Sequence, residues 1–333
     1  ALANHHRKTF DIPVIGLTGS NGKTTNKELL KTALATTFKV HATLGNLNNH
    51  IGVPLTLLSM PRDTEMAIIE MGANHQKEIQ FLCRIAEPTH GFITNLGKAH
   101  LEGFGGEEGV RKGKGELVDF LKESGGYLFV NENDEKLVNL ALEKQIMQVI
   151  YHGKTHHQLV SKSFSPSIHW SYEGIDYQAI LSGQYNFDNI QAAFAIASFF
   201  NVEADIACKA IANYVPSNNR SQVEEKGTNK IFLDAYNANP SSMKAAIDNF
   251  GDLDTELGKV AILGDMFELG EHSQAEHEAL SQLLKDKNFD MVVLYGEEMK
   301  HALKHLPGAY YFTDKFSIHN WLNDKKLEHK AIL

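Results

Sequence analysis

"GLTGSNGKTTNKE", residues 16–28, decides how the chain reads. It looks like a phosphate-binding loop but misses the general spacing G-x-x-x-x-G-K-[ST], which would need glycine where Leu17 stands. Gly16 lies one residue too early and Gly19 two too late. Its setting argues for a loop all the same. "PVIGLTG" (13–19) is an apolar run with β-branched residues, hence a buried strand, and Leu29, Leu30, Ala33 and Leu34 recur at helical spacing from Thr24 to about Thr37. Strand, glycine turn and helix is the arrangement in which helix N-terminal amides converge on an anion. Gly19, Ser20, Asn21 and Gly22 then form the turn, and Lys23 supplies charge for the β and γ phosphates. Thr24 offers a hydroxyl to Mg²⁺, and Thr25 belongs to the same nucleotide-binding stretch. The competing reading is a tight turn with an ordinary cap, and Gly-Lys-Thr-Thr argues against it.

Outward from the loop, "MAIIEMG" (66–72), "GFITNLG" (91–97) and "YLFVN" (127–131) read as buried strands, with helices at roughly 76–86, 107–122 and 134–145 between them. Such alternation implies a parallel sheet with helices on both faces. "MQVIYH", "HQLVSKSF", "SIHWSY" and "IDYQAIL", over 147–181, suggest a small antiparallel region, and "FDNIQAAFAIASFF" (187–200) is helical. Polar "PSNNRSQ" (216–222) marks a junction. Beyond it "KIFLDAY", "GKVAILGD" and "DMVVLYG" alternate with helical segments. The expected fold class is α/β: a central P-loop-type, mostly parallel sheet flanked by helices (1–216), then a smaller Rossmann-like α/β domain (217–333). The start "ALANHHRKTF" lacks an initiator methionine, and "HKAIL" opens a strand with nothing after it, so a fragment is expected.

At 333 residues the chain exceeds one ordinary core. Apolar residues at 42% and charged at 22% are those of a soluble globular protein, with no signal-peptide region at the N-terminus and no run long enough to span a bilayer. A formal charge of −9 argues against nucleic acid or anionic membrane as partner but leaves room for nucleotides. Cys83 and Cys208 stand far apart and read as buried, reduced thiols.

Several polar residues follow apolar strands, where open parallel sheets place their ligands. Glu70 ends "AIIE", and a carboxylate there suits Mg²⁺ or a surface exit. His100 follows "FITN", with Lys112 and Lys114 nearby in "VRKGKGE", a run that could equally be a solvated helix face. Asp234, Tyr236, Asn237 and Asn239 lie in "LDAYNANPSS", where Ser241 could simply cap a helix. Arg220, at the junction, could reach a phosphate across a cleft or stand in solvent.

Together "GLTGSNGKTT", "GNLNNHIGVPLTLL", "IIEMGANHQKEI", "TNLGKAHLEGFG", "KGKGE", "DAYNANPSSMKAAID" and "LGDMFELGE" resemble the Mur ligases, ATP-dependent amide-forming enzymes of peptidoglycan synthesis. The family's own loop is G-x-x-G-K-T, which Gly19, Gly22, Lys23 and Thr24 satisfy. "YNANP" and "GDMFELGE" favour the dipeptide-adding branch over third-residue-adding or folylpolyglutamate-type relatives. The resemblance implies a cytoplasmic, monomeric ligase joining D-alanyl-D-alanine to UDP-MurNAc-tripeptide through an acyl phosphate, using ATP and Mg²⁺. It implies Lys23 at the β and γ phosphates, Thr24 and Glu70 at one Mg²⁺, and His100 at a second. Lys114 matches a lysine that can be carbamylated, and Asn46 a residue near metal and substrate. Asn189 matches an adenine-side asparagine, although Tyr185 stands where the family usually has histidine. Arg220 and Asp234 would approach phosphates and ribose on domain closure, with Tyr236 and Asn237 beside the nucleotide. The uridine-nucleotide-binding domain that usually comes first is expected to be missing. A P-loop switch that ligates nothing is the reading from another class, and it needs no strand-end set like Glu70, His100 and Lys114.

Overall fold

The structure, a computed structural model, describes residues 1–217 and 219–333. Its first sheet contains β1 (Val14–Thr18), β2 (Val40–Ala42), β3 (Met66–Glu70), β4 (His90–Ile93), β5 (Tyr127–Asn131) and β6 (Val149–His152), in spatial order β2-β3-β1-β4-β5-β6. Every pairing is parallel. β1, β3 and β4 are buried along their whole length because helices cover both faces. Alternate residues feed opposite cores, as a period of two requires. Val14, Ala67 and Ile69 pack with helices Glu78–Ala86 and Glu107–Ser124, whereas Ile15, Leu17 and Ile68 pack with helices Lys23–Leu34 and Gln184–Phe199. Cys83 and Cys208 are buried, free thiols in these two cores.

One expectation is corrected. "MQVIYH" does not join the antiparallel region: β6 extends the parallel sheet, with Leu128 opposite Val149. A short apolar run carries no sign of its pairing direction. The three segments after it do form an antiparallel sheet, β7 (Val160–Ser163), β8 (Ile168–Tyr172) and β9 (Ile175–Ala179), which seats Trp170 in the second core. Edge strand β2 and helix Gly52–Leu58 were not foreseen, being too short to display a period.

The remaining sheet contains β10 (Gln222–Lys226), β11 (Asn229–Leu233), β12 (Gly258–Gly264), β13 (Met291–Tyr295), β14 (Tyr310–Phe312) and β15 (Lys330–Ile332), in order β10-β11-β15-β12-β13-β14. The polar junction turns directly into β10, an antiparallel partner of β11, and the other pairings are parallel. "HKAIL" supplies β15, wedged between β11 and β12, which accounts for its apolar character. No helix among the described residues is long and apolar enough to cross a membrane.

Candidate active site

The loop after β1 is tightly braced. Gly19 has φ 144°, and a Cβ there would lie 1.9 Å from Thr94 Oγ1, so only glycine fits. Thr94 Oγ1 donates to the Asn21 carbonyl (2.5 Å), and Asn95 Oδ1 accepts from the Asn21 amide (3.1 Å). Both braces come from the end of β4. Gly22 precedes helix Lys23–Leu34 at φ 76°, and no side chain caps that helix, leaving its first-turn amides for an anion. Lys23 curls back over the loop, its Nζ donating to the carbonyls of Gly19 (2.7 Å) and Ser20 (3.3 Å). Burial lowers the pKa of this ammonium and Arg220 adds to the fall, while Glu70 opposes it.

Glu70, 1% exposed at the end of β3, gathers the next group. Thr24 Oγ1 donates to it at 3.2 and 3.3 Å, Asn48 Nδ2 at 2.9 Å, and Lys27 Nζ stands 3.7 Å away. Lys27 is fully buried, and it also donates to the Gly45 carbonyl (3.2 Å) and pairs with Glu28 (3.1 Å). A carboxylate and a hydroxyl beside an anion site make the hard oxygen set that Mg²⁺ takes, with phosphate oxygens and water completing the shell. Among the described residues, no three His, Cys, Asp or Glu side chains gather as a metal cage. Asn46 is exposed on its loop, and Asn48, two residues on, meets the carboxylate instead.

His100 sits at φ 54° ahead of helix Leu101–Phe104, and its Nδ1 hydrogen-bonds Glu268 of the second α/β unit. Burial lowers its pKa, Lys114 and Lys23 act in the same direction, and Glu268 opposes them. Lys114 is 1% exposed, donating to the Ala73 carbonyl (3.2 Å) and lying 5.0 Å from the centre of the Phe104 ring. Burial first and Lys23 second hold it well below an ordinary lysine. The two lysines of "KGK" therefore part company. Lys112 is a solvated-face residue near Glu108, and Lys114 points inward.

Beside the loop a cavity of about 780 Å³ opens between the two units. Ser20, Asn21, Gly22 and Thr25 form its phosphate-loop wall, and Tyr185 and Asn189 line it from helix Gln184–Phe199. Asn189 is wired to the loop, because Asn26 Nδ2 donates both to its Oδ1 (2.6 Å) and to the Gly22 carbonyl (3.0 Å). Tyr185 spends its hydroxyl on Ser221 Oγ, 3.2 Å away. Arg220, Asp234, Tyr236 and Asn237 close the cavity from the second unit, the Arg220 guanidinium 3.6 Å from the centre of the Tyr236 ring. Asp234 is exposed to the cleft, and the protein packed around its walls still raises its carboxyl to about 6. Asn239, not Ser241, caps helix Pro240–Gly251, and its Nδ2 donates to Asn21 Oδ1 (2.7 Å). Ser241 Oγ accepts instead from the Lys98 amide (2.7 Å), so the two units are tied through the site itself.

Of the candidate site residues singled out in the sequence, all but Asn46 and Lys112 thus lie in one of these groups. Sequence reasoning missed Asn26, Lys27, Asn48 and Glu268. Asn26 and Lys27 carried a signal, one helical turn after Lys23, where i,i+3 and i,i+4 spacing put them on the same face.

Two family profiles match the chain: the Mur ligase middle domain over residues 17–197 and the Mur ligase, glutamate ligase domain over 219–321. The UDP-N-acetylmuramoyl-tripeptide–D-alanyl-D-alanine ligase of Bacillus subtilis (strain 168) is 36% identical over 314 residues, covering 91% of this chain and 68% of its own. That of Escherichia coli (strain K12) is 32% identical over 327 residues, or 95% and 72%. Among solved structures, MurF from Acinetobacter baumannii superposes with TM-score 0.89 at 28% identity, over 100% of this chain and 75% of that one. MurF ligase from Thermotoga maritima in complex with ADP gives 0.87 at 27%, over 100% and 78%. The chain belongs to the Mur ligase family, on the side of its D-alanyl-D-alanine-adding members.

Proposed function

We propose that this chain carries the ATP-binding and C-terminal units, residues 1–216 and 217–333, of an ATP-dependent ligase. The enzyme adds D-alanyl-D-alanine to UDP-MurNAc-tripeptide in peptidoglycan precursor synthesis, as a cytoplasmic monomer. The observation that carries the reading is that His100 and Lys114 stand with Glu70 beside the Lys23 loop, a set that a nucleotide switch, served by the carboxylate alone, does not need.

The loop amides and Lys23 hold the triphosphate, and Thr24 with Glu70 would hold Mg²⁺ against it. Asn189 faces the adenine side, Asp234 accepts from the ribose, and Arg220 reaches the phosphates, with Tyr236 and Asn237 flanking. A second Mg²⁺ would rest on His100 and Lys114, whose burial favours the neutral amine that carbamylation by CO₂ requires. The metal supplies charge neutralisation for the transferring phosphoryl group. A tripeptide carboxylate oxygen attacks the γ phosphorus and ADP leaves. The dipeptide amine then attacks the acyl carbon, and phosphate departs with that carboxylate oxygen. Alignment and a closed, water-poor cleft are the protein's part in both steps. Asn46, exposed on the loop that carries Asn48, would meet substrate rather than metal.

The assignment is tested by phosphate release from ATP with single and paired substrates. Release only with UDP-MurNAc-tripeptide and D-alanyl-D-alanine together is expected, and equal release with other amino acids would refute it. Asp234 gives a pH dependence. Its carboxyl is raised to about 6, so it is protonated and a poorer acceptor below that pH, and KM for ATP should rise as pH falls through 6. Asp234→Asn, at an exposed side chain, should leave Tm unchanged while weakening ATP binding and flattening its pH profile; an unchanged profile would remove Asp234 from the ribose.

A further inference from the structure

The stretch "LGDMFELGE" (263–271), which runs on from the end of β12, is otherwise without a part in the reaction. Met266 and Leu269, 1% and 2% exposed, anchor it in its own unit. Glu268 between them adopts φ 59°, a conformation uncommon away from glycine. Its carbonyl accepts from the Glu102 amide (3.1 Å), and its carboxylate meets His100 Nδ1. Gly270 lies against the Glu102 side chain, where a Cβ would come within 3.2 Å. The loop is therefore docked, through backbone and side chain, on the segment of the first unit that begins at His100. Lys98 holds the same interface through its ion pair with Glu276 (2.5 Å).

A neutral imidazole has one donor and one acceptor nitrogen. An Nδ1–H that donates its hydrogen bond to Glu268 leaves Nε2 as the acceptor, and a carboxylate partner fixes the ring and raises its basicity. We propose that Glu268 is a positioning residue for His100: it sets the histidine's tautomer and orientation, and makes it a competent metal ligand only when the two units are docked. The inference rests on the reading of His100 as a ligand for the second Mg²⁺. Its consequence is that closure, which excludes water, also completes the metal site. In the open enzyme His100 lacks its partner, and phosphoryl transfer to water is disfavoured at the stage when water is present.

The test is Mn²⁺ binding to the full-length protein with a non-hydrolysable ATP analogue, followed by electron paramagnetic resonance, including the nitrogen coupling of a bound imidazole. The wild type should hold a Mn²⁺ with that coupling, and His100→Ala should lose it. Glu268→Ala should weaken the same site about 10- to 100-fold. Glu268→Gln, which keeps an acceptor oxygen, should weaken it less. The Glu268 side chain is 48% exposed, so both variants should fold with unchanged Tm. Wild-type affinity and coupling in Glu268→Ala would overturn the proposal while leaving His100 its role. If His100→Ala itself matches the wild type, the reading beneath falls and the proposal with it.

Discussion

Lys23→Ala is expected to lower kcat/KM by on the order of 10³-fold while leaving Tm and circular dichroism unchanged. The reason lies in what Lys23 touches. Among the described residues its ammonium is bonded only to the carbonyls of its own loop, at Gly19 and Ser20, so its removal leaves no buried charge unpaired there. Those carbonyls hold the cation over the loop, and the uncapped helix start beside it needs that charge for the phosphates. Burial already strains the ammonium, which makes it the more responsive to an incoming anion. Retained turnover in the variant would take Lys23 out of phosphate binding.

Glu70→Gln is expected to do two things at once. Activity should fall at least as far as in Lys23→Ala, because the carboxylate offered to Mg²⁺ is gone. Stability should fall by about 1–2 kcal/mol, since fully buried Lys27 loses one of its two carboxylates and keeps Glu28 and the Gly45 carbonyl. The two effects separate in the double variant Lys27→Met with Glu70→Gln. Replacing the buried ammonium by an apolar chain of similar length should restore most of the lost Tm and none of the activity. A single Glu70→Gln variant as stable as the wild type would show that Lys27 does not depend on Glu70. Recovery of turnover in the double variant would deny Glu70 its place at the metal.

How far these residues could be read without coordinates depends on the range of their contacts. The loop was legible because its strand, glycines, lysine and helix are contiguous, and Gly19 stood out by spacing. The reason Gly19 must be glycine was not legible, for it lies in Thr94, on another strand. Glu70 could be placed at a strand end from its apolar run, whereas its partner could not. Asn46 and Asn48 are alike in type and two residues apart, and only the path of the loop decides which one turns toward the carboxylate. Lys112 and Lys114 posed the same problem on a helix, and there the buried face chose Lys114. The inner strands of both sheets followed from apolar runs, and the short edge strands β2 and β14 did not. β6 was misassigned and β10 missed because their pairings depend on neighbours rather than on their own pattern. Glu268 was visible as a letter in a motif, but its meeting with His100 spans 168 positions. Contacts of that separation leave no mark in a single sequence.

An acyl-phosphate ligase and a nucleotide switch differ most plainly in the fate of one oxygen atom. UDP-MurNAc-tripeptide labelled with ¹⁸O in its terminal carboxylate, turned over with ATP and D-alanyl-D-alanine by the full-length enzyme, should yield phosphate carrying one ¹⁸O derived from that carboxylate. Phosphate free of label, with its fourth oxygen taken from water, would contradict the acyl-phosphate account.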